Sequence, residues 1–195
     1  HRYLRLPEKV MNIAVYSGSF NPLHIGHLAI IRYMIEKAGF DMVYLIVSPK
    51  NPLKDSISSA TGHERYLAAI EAVNRHFTER VLVDDIELTM PEPHYTIRTL
   101  DALKKREPEN GFTFVMGADN LSDIRRWRDY TRILKEYGTA VYPRKGFDLD
   151  KIKQDLLNED PAYKIHILNA EMVDISSTEI RNILATGGDA SELLM

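Results

Sequence analysis

Two histidines that follow a glycine turn are the residues of this chain best suited, by type and spacing, to phosphoryl chemistry. His24 and His27 lie three positions apart in the segment GSFNPLHIGH, which follows a short apolar run. If both lie on the opening turn of a helix, their imidazoles share one face and can donate hydrogen bonds to a single phosphate group. Two such donors, neutral or protonated, would stabilise the charge that develops on a phosphoryl group during transfer.

The residues just before the histidines favour a phosphate seat. Gly18 lets the backbone approach a ligand closely, and the start of the following helix offers free N–H groups and a partial positive charge. Two other interpretations stay open from these residues alone. One histidine could cap the helix while the other packs beneath the loop. The pair could also bind zinc, but the chain contains neither a cysteine nor an HExxH segment to complete such a site.

A second candidate group lies near the end of the chain, in the segment ISSTEIR at residues 175–181. A serine and a glutamate three positions apart have the spacing of a capping box, so this segment predicts a helix start. The hydroxyls of Ser177 and Thr178 add hydrogen-bond donors, and the guanidinium of Arg181 can hold two phosphate oxygens at once. Simple helix capping is the competing interpretation, whereas a binding role suits the β and γ phosphates of ATP.

The two segments together resemble the signatures of the nucleotidylyltransferase superfamily, in which a glycine turn is followed by H-x-G-H. The string HIGH at residues 24–27 also occurs in class I aminoacyl-tRNA synthetases. Those enzymes carry a lysine-rich KMSKS-type loop where this chain has ISSTEIR, so the second segment separates the two groups. The chain departs from the superfamily pattern at Ser17, where a first glycine is commoner, and at Asn21, where aspartate is frequent.

Three intermediate segments resemble the bacterial nicotinate-nucleotide adenylyltransferase branch: PKNPLK at 49–54, YTIRTL at 95–100, and MGAD at 116–119 with a tryptophan downstream. The resemblance implies that Lys54 contacts the phosphate of the acceptor and that Thr96 contacts its carboxylate. It also implies that Trp127 stacks on the pyridine ring and that Asp119 accepts from ribose hydroxyls. The alternatives are a solvated lysine, a threonine that only caps its helix, and a tryptophan that belongs to the core.

The resemblance therefore implies transfer of the adenylyl group of ATP to nicotinic acid mononucleotide, with Mg²⁺ entering together with ATP and no dedicated metal site in the protein. The acceptor phosphate would attack the α-phosphorus in line, without a covalent enzyme intermediate. The expected catalytic residues are His24, His27 and Arg181. The expected ATP-binding residues are Gly18, Ser19, Phe20, Gly117, Asp119, Ile175, Ser177 and Thr178, and the expected acceptor-binding residues are Lys54, Thr96 and Trp127.

Other functions compete with this one. Phosphopantetheine adenylyltransferases and glycerol phosphate cytidylyltransferases share both signatures, but their acceptor patterns are not found here. A nucleotide sensor without turnover could use the same phosphate seats, although a pure binder needs no group matched to a migrating charge.

The elements that must position these residues alternate between short apolar runs and longer helical stretches, which predicts an α/β fold. We expect a Rossmann-like, doubly wound, mostly parallel sheet with helices on both faces. Predicted strands lie at 12–16, 42–47, 81–83, 112–116, 139–142 and 164–168. Predicted helices lie at 26–38, 64–74, 97–106, 126–136, 149–157 and from 177 or 178 to 185. The loop 48–62 is a candidate substrate flap, because long loops without structure of their own are usually functional.

Chain length, net charge and composition limit the number of domains, the partners and the cellular location that we expect. The length of 195 residues predicts one domain, and the resemblance implies that it is a nucleotidylyltransferase domain over 1–195, with residues 1–10 as an extension ahead of Met11. The net charge of -3 provides no basic field, so we expect no nucleic-acid partner. The apolar runs are too short for a membrane span, and the absence of cysteine fits a reducing cytoplasm. No pattern in the sequence assigns an oligomeric state.

Overall fold

The computed structural model describes residues 10–49, 61–170 and 177–195, with only the backbone described at 177 and 178. Within these residues, six strands run parallel in one sheet: β1 (Asn12–Gly18), β2 (Met42–Val47), β3 (Val81–Asp84), β4 (Gly111–Gly117), β5 (Thr139–Tyr142) and β6 (Ile165–Ile167). Their order across the sheet is β3-β2-β1-β4-β5-β6. The order reverses between β1 and β4, and ligands of open α/β sheets bind beside the carboxyl ends of the strands at such a point.

The α-helices are α1 (Ile25–Glu36), α2 (Gly62–His76), α3 (Ile86–Thr89), α4 (Thr96–Arg106), α5 (Ala118–Ser122), α6 (Tyr130–Arg132), α7 (Leu149–Glu159) and α8 (Ser177–Ala185). The described part of the chain also has 3₁₀ turns at Ile124–Arg126 and Ser191–Leu193, and a π-helical turn, Ile133–Tyr137, continues α6. Helix α2 begins two residues earlier than predicted because Thr61 and Glu64 form a reciprocal capping box.

The two faces of the sheet bury separate cores, as the alternation of side chains along a strand requires. On β1, Ile13 and Val15 point into the core that contains α4 and α7, whereas Ala14 and Tyr16 point into the core that contains α1 and α2. Helices therefore cover both faces of a parallel sheet, as predicted. None of the described helices has the length and apolar character that a membrane crossing requires.

The predicted helix at 126–136 is wrong as a continuous element. Trp127 has extended backbone angles, and Asp129 lies in the left-handed region at φ 52°, so the chain turns between the 3₁₀ turn and α6. A left-handed residue interrupts the repeating hydrogen bonds of a right-handed helix. The short helices α3 and α5 were not predicted. Most of the proposed flap, residues 50–60, lies outside the described residues.

Candidate active site

His24 and His27 form a stacked pair at the start of α1, with their ring centroids 3.7 Å apart. His24 is the N-cap residue, and its Nδ1 accepts a hydrogen bond of 3.1 Å from the backbone N–H of Gly26. Nδ1 of His27 in turn accepts from the backbone N–H of His24, also at 3.1 Å. Capping therefore uses only one nitrogen of each ring. The other nitrogen can still donate to a ligand, so this geometry is compatible with both interpretations.

Occupation of both Nδ1 atoms decides which nitrogen carries the proton. A neutral imidazole has one N–H and one acceptor nitrogen, so a ring that accepts at Nδ1 carries its proton on Nε2. Burial, followed by the charge of Arg144, lowers the pKa of His24 to about 4. Burial, the neighbouring His24 and Arg144 lower the pKa of His27 to about 3. At neutral pH each ring is therefore an uncharged Nε2–H donor.

Arg144 is the cation at this site that sequence reasoning missed. It follows the end of β5, and its guanidinium lies over the ring of Tyr142 with 5.4 Å between the guanidinium carbon and the ring centroid. Its Nε is 3.7 Å from Oδ1 of Asp119, and its side chain is about half exposed. The position of Arg144 just beyond the carboxyl end of a strand next to β4 was the available signal, since that edge of an α/β sheet binds ligands.

Asp119 lies on the first turn of α5, just beyond the carboxyl end of β4. Its Oδ1 is buried and has no hydrogen-bond partner among the described residues. A β-carbon at Gly117 would lie 2.5 Å from this oxygen and 2.9 Å from the ring of Tyr142. Gly117 is therefore required by the close approach of Asp119 and Tyr142.

The turn after β1 is shaped by an aromatic side chain. Phe20 is buried, has φ 45°, and packs edge-on against the rings of His27, at 5.1 Å, and Tyr16, at 5.5 Å. A β-carbon at Gly18 would lie 3.0 Å from this ring, so Phe20 occupies the space in front of the glycine. Ser19 is exposed, and its backbone carbonyl accepts from a buried arginine of α2, Arg65.

Arg181 of α8 contacts the first segment directly. Its Nη1 donates to the backbone carbonyl of Asn21, which lies between Phe20 and the histidines. The structure thus brings the guanidinium of the second signature to the turn of the first, as a shared phosphate site requires. Ile175 lies outside the described residues, and so do the side chains of Ser177 and Thr178.

The acceptor-binding candidates Thr96 and Trp127 lie on neighbouring segments. Thr96 is the first residue of α4, but the N-cap residue is Tyr95 and its side chain makes no capping hydrogen bond, so the interpretation of Thr96 as a cap is wrong. The guanidinium carbon of Arg128 lies 4.8 Å from the ring centroid of Tyr95, which joins the two segments. Trp127 is half-buried and packs edge-on against Phe114 at 5.9 Å. Lys54 lies outside the described residues.

Metal-binding side chains are sparse in the part of the chain that the structure describes. No three histidine or carboxylate groups come together there in a way that could hold an ion. Asp119 provides one carboxylate at the crevice, and it is already 3.7 Å from a guanidinium.

Comparison with known proteins gives matches along nearly the whole chain. The family model described as cytidylyltransferase-like matches residues 15–183. A "Probable nicotinate-nucleotide adenylyltransferase" of Flavobacterium johnsoniae is 37% identical over 184 residues, which cover 94% of this chain and 92% of that protein. A protein of Bacteroides fragilis with the same name is 39% identical over 175 residues, which cover 90% of this chain and 83% of that protein.

Solved structures with the same fold include a Plasmodium falciparum nicotinic acid mononucleotide adenylyltransferase complexed with APC. It matches with a TM-score of 0.76 at 21% identity, over 94% of this chain and 90% of that one. The enzyme complexed with NaAD matches with a TM-score of 0.74 at 22% identity, over 93% and 88% of the two chains. The prediction of a Rossmann-like α/β fold is confirmed.

Proposed function

Because the chain belongs to the nicotinate-nucleotide adenylyltransferases of the cytidylyltransferase-like family, we propose that it transfers the adenylyl group of ATP to nicotinic acid mononucleotide. The products are nicotinic acid adenine dinucleotide and pyrophosphate, a step of NAD biosynthesis. The family resemblance read from the two signatures is confirmed. Since the reaction draws on the ATP pool of the cell, we assign it to the cytoplasm.

The observation that carries the proposal is the pair of neutral imidazoles at the start of α1. Both Nδ1 atoms are held by backbone N–H groups, so both Nε2–H groups remain to donate to one anionic group. Donors that are fixed before the reaction need no reorganisation when charge develops in the transition state. A site built only to hold a phosphate would gain more from charged imidazoles, whereas burial keeps these two uncharged.

The reaction is a direct displacement at phosphorus. An oxygen of the acceptor phosphate attacks the α-phosphorus of ATP, and the bond from that phosphorus to the oxygen of the β-phosphate breaks as pyrophosphate leaves. The attacking group is already anionic at neutral pH, so a general base would add little. Alignment of the two partners can contribute up to about 7-11 kcal/mol.

Each group at the crevice has a proposed part in this step. His24 and His27 donate to the non-bridging oxygens of the α-phosphate, and the positive charge that they lack comes from Arg144 and Arg181. Asp119 is proposed to accept from a hydroxyl of the adenosine ribose, because nearly half of its side chain is exposed at the crevice. Backbone or hydroxyl contacts to ATP are proposed for Ser19, Phe20, Gly117, Ile175, Ser177 and Thr178, whereas Gly18 makes room for the ring of Phe20.

Mg²⁺ is proposed to enter as the complex with ATP. An ion that enters with ATP would use phosphate oxygens and waters as ligands, so it would need no cluster of carboxylates from the protein. When bound, it would neutralise part of the charge of the leaving pyrophosphate.

The acceptor is proposed to lie against Thr96 and Trp127, with Lys54 on its phosphate. Thr96 is the first residue of α4, where free N–H groups and the helix dipole favour a carboxylate. The exposed part of the Trp127 indole would stack on the pyridine ring. A carboxylate at this position distinguishes nicotinate from nicotinamide.

Pyrophosphate release from ATP tests this function. The protein would be assayed in parallel with nicotinic acid mononucleotide, nicotinamide mononucleotide and phosphopantetheine as acceptors. We expect the highest kcat/KM with nicotinic acid mononucleotide. Preference for phosphopantetheine would overturn the acceptor, and no release with any of the three would favour a nucleotide sensor instead.

A further inference from the structure

Arg65 of α2 is a buried cation that has no role in the reaction proposed above. Only 2% of the residue is exposed. Its Nη1 donates to two backbone carbonyls, that of Ser19 at 2.6 Å and that of Ser48 at 2.8 Å. Its Nε and Nη2 are buried and have no hydrogen-bond partner among the described residues. No described carboxylate lies within ion-pair distance of it, and burial lowers its pKa.

The two carbonyls lie just beyond the ends of two neighbouring strands, on segments to which the proposed function assigns ATP and the acceptor, respectively. Ser19 follows β1 and begins the turn that leads to the histidines, whereas Ser48 follows β2 and begins the segment that leads towards the predicted acceptor loop. Other bonds join the same two strand ends: the Oγ atoms of Ser17 and Ser48 are 2.9 Å apart, and the N–H of Ser48 donates to the carbonyl of Gly18. Arg65 therefore connects α2 to both strand ends at the crevice.

The energetics of Arg65 point away from a purely stabilising role. Burial of a guanidinium without a carboxylate partner costs free energy, and each buried donor without an acceptor adds to that cost. An apolar side chain of similar length would carry neither of these costs, but it would leave the two carbonyls without this donor. What an arginine adds over an apolar residue is a planar, rigidly held Nη1 whose N–H groups fix two carbonyls relative to each other.

We propose that Arg65 is a positioning residue that sets the distance between the ATP half and the acceptor half of the site. This inference rests on the proposed function, since it concerns the alignment of two reacting substrates. Loss of the contact would leave only the bonds at Ser17, Gly18 and Ser48 between the two strand ends, so the turn after β1 could shift relative to the segment after β2. A misplacement of about 1 Å between reacting groups can lower the rate by about 10²-fold.

Arg80 provides a matched control. It also donates to backbone carbonyls, those of Ile35, Phe40 and Asp41. These carbonyls lie near the start of β2, whereas the crevice lies at the carboxyl ends of the strands. The test compares Arg65→Met, Arg65→Lys and Arg80→Met by Tm and by steady-state kinetics with ATP and nicotinic acid mononucleotide.

For Arg65→Met we expect kcat to fall by about 10- to 100-fold, while the KM values for both substrates change by less than about 3-fold. Its Tm should shift by less than about 4 °C. Arg65→Lys should keep the fold and recover only part of kcat, because an ammonium on a flexible stem fixes the two carbonyls less rigidly than a planar guanidinium does. Arg80→Met should keep kcat within about 2-fold of wild type, whatever its effect on Tm.

Wild-type kcat in Arg65→Met would overturn the inference, and so would an equal loss of kcat in Arg80→Met. If Arg65→Met does not fold, Arg65→Lys decides alone, and wild-type kcat there would overturn the inference. A loss of kcat in step with a loss of folded protein would assign Arg65 to stability. An active wild type with unaffected variants would refute only this inference, whereas an inactive wild type would refute the proposed function and this inference together.

Discussion

Arg181 donates a hydrogen bond to the backbone carbonyl of Asn21, a contact between residues 160 positions apart. It joins α8 to the turn that precedes the stacked histidines, so the two signatures share one crevice. Because the bond uses the backbone, it does not depend on the side chain at position 21. This explains how asparagine can stand where aspartate is frequent in the superfamily without loss of the contact.

The first prediction separates the guanidinium of Arg181 from the side chain of Asn21. Arg181→Gln should raise the KM for ATP by about 10-fold or more, because it removes a charged contact to the leaving phosphates. Asn21→Ala should leave KM within about 2-fold, because the carbonyl remains. Steady-state kinetics with varied ATP would measure both. An equal effect of the two substitutions would mean that the side chain of Asn21, and not its carbonyl, carries the interaction.

The second prediction separates the two nitrogens of His27. In His27→Asn the amide oxygen can replace Nδ1 as the acceptor for the N–H of His24, but no donor remains at the position of Nε2. In His27→Gln the amide can reach the position of Nε2 instead. We expect kcat to fall by about 10²–10³-fold in His27→Asn and by clearly less in His27→Gln. Removal of the ring in His27→Ala should lower kcat as much as His27→Asn does, with little loss of fold stability.

The control for this series is the exposed His166 on β6, because His166→Ala should keep wild-type kcat and Tm. The order of the variants is the decisive result. If His27→Gln were slower than His27→Asn, Nδ1 would matter more for turnover than Nε2. That result would contradict the role of the Nε2–H group of His27 as a donor to the phosphate.

The third prediction concerns pH. The folded-state pKa values of His24 and His27 are about 4 and about 3, below the ordinary value of 6.5, so the unfolded chain takes up these protons first as pH falls. Their contribution to stability is therefore complete above about pH 6.5, declines below it, and levels off below the folded values. Each proton contributes a slope of about 1.4 kcal/mol per pH unit within that window.

Urea unfolding between pH 7.5 and pH 4 would measure this slope, since most of the window lies above pH 4. The slope should be shallower in His27→Gln than in the wild type. In the same range kcat should show no inflection near pH 6.5 that depends on these rings. An inflection that disappears in His27→Gln would mean that the imidazole acts in its charged form.

The fourth prediction concerns Arg144, whose charge lowers the pKa of both histidines. Arg144→Gln should lower kcat/KM for ATP by about 10- to 100-fold, because the neutral imidazoles cannot supply positive charge themselves. It should also raise the pKa of both rings, which NMR titration would detect. Lys145→Gln makes the same change in net charge one position away and should alter neither quantity. A similar loss in both variants would indicate a general effect of charge.

The fifth prediction concerns the close approach at the end of β4. Gly117→Ala should raise the KM for ATP, because the new methyl would lie 2.5 Å from Oδ1 of Asp119 and 2.9 Å from the ring of Tyr142. Gly111→Ala tests the amino end of the same strand, where the nearest atom is Oδ1 of Asn12 at 3.1 Å. It should leave kinetics unchanged, although it can lower Tm. Unchanged KM in Gly117→Ala would remove Asp119 from ATP binding.

Many strands and helices could be predicted from the sequence because neighbouring residues determine them. The strands at 42–47 and 139–142 were predicted with the bounds that the structure has, since a short apolar run buried on both faces has few alternatives. The helix expected at 126–136 failed because the left-handed angles of Asp129 leave no clear signal in a single sequence. The pairing of His24 and His27 could be predicted from their spacing, because both lie within the opening turn of one helix.

The amino-acid sequence by itself determined the family signatures, the parallel α/β architecture and the donor types at the crevice, because these depend on periodicity and on neighbours within a turn. Only the tertiary structure decided the charge state and tautomer of the histidines, since those follow from burial and from Arg144, a residue on another strand's loop. It also decided that Arg181 meets Asn21 and that Arg65 joins the ends of β1 and β2. Such contacts depend on the order of the strands in the sheet, which brings distant segments together. The spacing of residues in the sequence does not specify that order.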